Sequence, residues 1–245
     1  MNATPATLAS NLAAVRDRIA SAERRSGRPA GAVTLIGVVK TVPAGTIAAA
    51  LALGLTDLGE NRVQEAESHQ RELGRGGACW HMVGHLQRNK AARALELFDL
   101  VHGVDDAALA AVLDRRVRAV RDAGAAARPG PVPVLIEVNV SGEASKFGVA
   151  PDGLGELAEG VAALAGLELR GLMTVGAPVA RPEEARPGFA RLRALRDGLA
   201  PRLGRPLPEL SMGMSGDYEV AVEEGATMVR VGTALFGARG PQGGA

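Results

Sequence analysis

The chain has 245 residues, with 28 basic side chains against 27 acidic ones, so it carries no electrostatic footprint for nucleic acid or an anionic membrane. Hydrophobic residues make up 47% and aromatic residues 2%; aliphatic and alanine side chains must fill the core, and a ring platform for stacking bases is excluded. The single cysteine, Cys79, cannot form an intramolecular disulfide and fits a reducing compartment.

The first periodic segment, residues 8–25, places Leu8, Leu12, Val15, Ile19 and Ala22 at steps of three and four. That is a helix with one buried stripe. Strands are expected at 33–39, 56–58, 80–83, 100–102, 132–140, 167–175, 209–212 and 228–231. Between them the pattern predicts helices at 46–53, 61–73, 87–97, 105–123, 151–164, 183–203 and 217–224. Gly54, Gly74 and Gly225 stand where a helix end uses positive φ, and Asp105, Ser215 and Asp217 are candidate N-caps. A loose Ala/Gly/Pro stretch at 123–133 interrupts neither pattern.

Eight strands alternating with helices imply a parallel sheet with helices outside, and the count favours a closed (β/α)8 TIM-type barrel. Only residues 234–245 follow the eighth strand. The extra N-terminal helix is therefore expected to cover the gap left in the ring, and residues 1–245 are expected to form one domain. There is no basic-then-apolar secretory leader and no apolar run of the ~20 residues that span a bilayer, so a cytoplasmic location is expected.

Barrels of this kind build their sites at the C-terminal strand ends, with phosphate held after strands seven and eight. Strand one ends in Lys40, whose amine would be desolvated at an apolar mouth and so prepared to attack an aldehyde. Strand eight carries Arg230 inside an apolar run, then Gly232 and Thr233, whose amides suit a phosphate. Strand seven leads to Met214 and Ser215 at a helix start, which also suits an anion. Closure puts strand eight between seven and one, so these residues share a corner. An aldehyde trap beside a phosphate cradle is what pyridoxal 5'-phosphate (PLP) requires. His81 and His85 are separated by a turn, with no third ligand spaced for zinc, so no metal is expected.

Through these residues the sequence resembles the pyridoxal phosphate homeostasis protein family, related to the alanine racemase N-terminal barrel. The motifs run in order through residues 38–43 (VVKTVP), 59–65 (GENRVQE), 80–90 (WHMVGHLQRNK), 138–143 (VNVSGE), 146–149 (KFGV), 171–174 (GLMT), 210–215 (LSMGMS) and 225–237. The resemblance implies a covalent aldimine of PLP on Lys40 and a phosphate held by Ser215, Gly232 and Thr233. It places Arg230 opposite the pyridine nitrogen, where a cation disfavours protonating the ring and weakens it as an electron sink. Asn61, His81 and Met214 are its pocket-wall residues. Arg62 and Gly216 depart from the family pattern, which more often has an aromatic and an acidic residue there.

A racemase needs acid–base groups on both faces of the substrate carbon, and in alanine racemases one comes from a second domain that this chain does not contain. The expectation is a monomeric intracellular PLP carrier that hands its cargo to apo-enzymes without robust turnover. The alternative is a PLP-dependent amino-acid racemase or decarboxylase.

Overall fold

The computed structural model describes residues 4–124, 130–143 and 145–237. Eight parallel strands, β1 (Thr34–Val38), β2 (Asp57–Glu60), β3 (Cys79–Met82), β4 (Leu100–Val104), β5 (Val132–Glu137), β6 (Leu167–Met173), β7 (Glu209–Ser211) and β8 (Met228–Val231), close in sequence order into one barrel. Closure rests on β8 lying beside β1 with Ile36 opposite Arg230 and Gly37 opposite Val231.

Around it run α1 (Pro5–Arg25), α2 (Ala44–Ala52), α3 (Val63–Leu73), α4 (Ala91–Leu97), α5 (Ala107–Asp122), α6 (Leu154–Ala162), α7 (Arg186–Leu203), α8 (Tyr218–Glu223) and α9 (Thr233–Phe236). The expected stripe of α1 is buried in full. This helix starts three residues early because Thr4 caps it and Pro5 suits its first turn. Buried Glu23 accepts from the amides of Gly31 (3.1 Å) and Val33 (3.0 Å), tying α1 to the start of β1. At its other side α1 packs on α8 and α9, with Asn11 Nδ2 donating to Leu235 O at 2.9 Å. It thus fills the ring position that one-turn α9 leaves open.

Several boundaries shift for identifiable reasons. Helices α4, α6 and α7 are each preceded by a 3₁₀ turn, at Arg88–Lys90, Pro151–Gly153 and Pro182–Ala185. Strands β5 and β6 end before the apolar pattern does. Val138 and Val140 remain in the core, but Val138 joins only an isolated bridge to Val149. The cap of α5 is Asp106, which accepts from Leu109 N at 2.6 Å, and not Asp105. Gly54, Gly74 and Gly225 adopt positive φ as expected. Residues 125–129 of the Ala/Gly/Pro stretch lie outside the described residues. Among the described residues no helix is long and apolar enough to cross a membrane.

Candidate functional site at the strand ends of β1, β7 and β8

Beyond β1 the chain makes a tight turn, in which Val42 N donates to Val39 O at 2.9 Å. Lys40 and Thr41 are its two central residues. Thr41 has φ +62°, a left-handed conformation that β-branched side chains avoid. Backbone strain is therefore held next to a half-buried lysine.

The loop after β7 folds back on itself. Asp217 Oδ1 accepts from Met214 N at 2.6 Å, and Asp217 N donates to Met214 O at 3.1 Å. Ser215 is thereby turned toward β8 and does not cap α8. Its Oγ accepts from the amides of Gly232 and Ala234, both at 3.2 Å. Gly232 lies against β1, since a Cβ built on it would stand 3.5 Å from Val38 O. Lys40, Ser215, Gly232 and Thr233 thus share one corner. Met214 is exposed in the same loop.

Arg230 points into the barrel beneath that corner and is buried. One guanidinium nitrogen donates to Ser211 Oγ at 2.6 Å and another to Thr174 O at 2.7 Å. Burial pulls its pKa down to about 10, against the pull of Glu137 and Asp217; it stays cationic at neutral pH. Glu137, also buried, is pushed up to about 7 by burial and by Asp105, with Arg230 opposing. Burial likewise raises Asp217.

The other two expected wall residues come from the end of β2 and from β3. Asn61 follows β2 and packs on β3's loop, its carbonyl 2.6 Å from where a Cβ on Gly84 would sit. His81 lies inside the barrel. Its Nε2 meets Asp57 Oδ1 at 3.1 Å, and its Nδ1 meets Nε2 of His102 at 3.0 Å. Asp57, Cys79 and His81 also bring ligand-type atoms within 4.8 Å of one another. Linear spacing from His81 to His85 did not disclose this group, because the fold assembles it across β2 and β3.

His102, Ser211 and Thr174, which contact Arg230 directly or through one another, were not anticipated. The available signal was period-two alternation: His102 interrupts the apolar run of β4, and Ser211 stands between apolar Leu210 and Met212.

A donor set of one hydroxyl and two converging amides suits a phosphate, and a buried cation beside it suits a ring nitrogen's lone pair. These residues fit PLP. The family model for the alanine racemase N-terminal domain matches residues 10–240. A pyridoxal phosphate homeostasis protein of Pseudomonas aeruginosa is 47% identical over 95% of this chain and 96% of its own length. The chain belongs to the pyridoxal phosphate homeostasis protein family. Its counterpart in Aquifex aeolicus is 42% identical over 93% of this chain and 96% of that protein. The structure of PipY from Synechococcus elongatus, solved with PLP bound, is 36% identical, covers 94% of this chain and 100% of that one, and has a TM-score of 0.79. An alanine racemase of Clostridium difficile shares the fold, with a TM-score of 0.72 at 14% identity over 96% of this chain and 57% of the racemase.

Proposed function

We propose that this family member binds PLP as a Schiff base on Lys40, holds it against loss, and delivers it to apo-enzymes. The observation that carries this is the corner itself: Lys40 sits on a strained turn beside amides and a hydroxyl gathered at Ser215, with Arg230 beneath. PLP supplies an aldehyde at one end and a phosphate at the other. Ser215 and the amides of Gly232, Thr233 and Ala234 would take the phosphate. Arg230 would donate to the ring nitrogen, since two of its roughly five N–H donors are committed to Ser211 and Thr174. A donated hydrogen bond keeps that nitrogen unprotonated, which limits carbanion chemistry and suits storage over turnover. Met214 and Asn61 would border the pocket, and His81 would act from within the barrel.

We take the working unit to be a cytoplasmic monomer of one domain. That its relatives are called homeostasis proteins supports the carrier reading. Borohydride reduction of the PLP-loaded protein, followed by peptide mass mapping, should place the cofactor on the peptide containing Lys40. Lys40→Ala should abolish the visible absorbance while the circular dichroism stays native. Label on another lysine, or an unchanged Lys40→Ala spectrum, rules out the assignment. Steady racemisation of amino acids above the rate of free PLP would instead favour an enzyme.

A further inference from the structure

A continuous line of side chains crosses the barrel interior from Arg230 to the opposite, N-terminal end. Arg230 meets Ser211 Oγ at 2.6 Å, Ser211 Oγ meets His102 Nδ1 at 2.9 Å, His102 Nε2 meets His81 Nδ1 at 3.0 Å, and His81 Nε2 meets Asp57 Oδ1 at 3.1 Å. The five residues come from β8, β7, β4, β3 and β2. Ser211 and His102 are fully buried, whereas the Asp57 side chain is 21% exposed.

The two ends set every hydrogen between them. A guanidinium can only donate, so Ser211 Oγ accepts from Arg230 and its own hydrogen is left for His102 Nδ1. His102 then carries its hydrogen on Nε2 and donates to His81 Nδ1. His81 in turn carries its hydrogen on Nε2 and donates to Asp57, which as a carboxylate only accepts. Burial opposes ionising Asp57, but hydrogen bonds from His81 and Thr56 outweigh it and hold its carboxyl below the usual range. Burial first, and then the nearby charge of Arg230, hold His102 well below the ordinary imidazole range, as a neutral ring. All four bonds therefore point the same way, and bonds aligned in series polarise one another.

We propose that Ser211, His102, His81 and Asp57 form a one-directional hydrogen-bond chain that positions Arg230 at the ring-nitrogen end of the cofactor pocket. They are positioning residues, acting through Arg230. The proposal rests on the PLP reading above, but the chain itself can be observed without cofactor.

The chain has four histidines, which makes ¹⁵N-histidine labelling tractable. The expected spectrum of the protein shows the hydrogen on Nε2 in the hydrogen bonds made by both His81 and His102. It also shows a coupling through the hydrogen bond between Nε2 of His102 and Nδ1 of His81, with the hydrogen on His102. The functional arm uses Asp57, whose partial exposure makes its variants safe to fold. Asp57→Leu removes the terminal acceptor, and PLP release should quicken by about threefold to tenfold, with a second tautomer appearing at His81. Asp57→Asn keeps an acceptor oxygen and should restore both readouts. A hydrogen on Nδ1 of His81, or equal behaviour of the Leu and Asn variants, overturns the proposal. So does a stoichiometric zinc ion retained on His81 Nε2, which would force the ring hydrogen to Nδ1 and reverse the line. If Lys40→Ala abolishes PLP capture but Asp57→Leu leaves release unchanged, the positioning role fails and the cofactor reading stands. If the protein takes up no PLP, both fail, and the spectrum alone decides whether the hydrogen-bond chain exists.

Discussion

The two faces of this sheet are built on different principles. Outside, the strands and helices share one large apolar cluster that includes Leu58, Trp80, Phe98, Val134, Val229 and the whole stripe of α1. Inside, the apolar cluster is five residues, Ile36, Leu100, Leu135, Met173 and Met228. The rest of the inward phase includes Asp57, His81, His102, Glu137, Ser211 and Arg230. A (β/α)8 lumen is ordinarily filled by layers of branched apolar side chains. Here the outer face supplies stability by burial, and the lumen is free to hold polar groups whose net contribution to stability is small when they are satisfied. The difference teaches where function is lodged: in the layer that folding needs least.

The largest effect should therefore come from the outer face. Trp80 is fully buried there, with its indole N–H donating to Arg75 O at 3.3 Å. Trp80→Ala should lower unfolding free energy by about 3–5 kcal/mol, read by urea melts followed by circular dichroism. Ser211→Ala, inside the barrel, should lower it by about 1–3 kcal/mol, the cost of an unmet buried donor. If Ser211→Ala proves as damaging as Trp80→Ala, the division between the two faces is wrong.

That division also explains what could be read from the sequence. Alternating apolar runs predict the eight strands, and the stripe from Leu8 to Ala22 predicts α1, because outward burial is periodic and local. The corner of Lys40, Ser215, Gly232 and Thr233 was legible because barrel closure dictates which strand ends are neighbours. The line through His102 and Ser211 was not, since it joins β4 to β7 across the lumen over 109 positions of sequence. Periodicity can say that a histidine faces inward; it cannot say which inward residue it meets. His81 shows the same limit: its motif marks the strand, but its partners His102 and Asp57 come from β4 and β2.

A middle-sized effect should appear at Glu137 and depend on pH. Its carboxyl rises from 4.5 to about 7 on folding, through burial first and Asp105 second. Between those values the folded chain keeps a proton that the unfolded chain has lost. Its stabilising contribution is thus complete below pH 4.5 and disappears as pH rises through 7. Glu137→Gln imitates the neutral form at every pH. Its stability relative to the parent should therefore improve by about 2–3 kcal/mol between pH 5 and pH 8.5. Urea melts at the two pH values check this; a pH-independent difference would mean that the lumen does not resist charge at this position.

The smallest effect belongs to the boundary between the two regions, at Thr41. Its φ of +62° costs a β-branched residue about 1–2 kcal/mol, and glycine at the same point would remove that strain while adding freedom to the unfolded chain. Thr41→Gly should therefore stabilise the protein by about 0.5–1 kcal/mol. The same change loosens the turn that presents Lys40, so PLP capture should slow although the fold is firmer. Opposite signs in the melt and in the capture rate would show that the turn is kept strained for the lysine. If stability and capture rise together, the strain at Thr41 has no part in presenting Lys40.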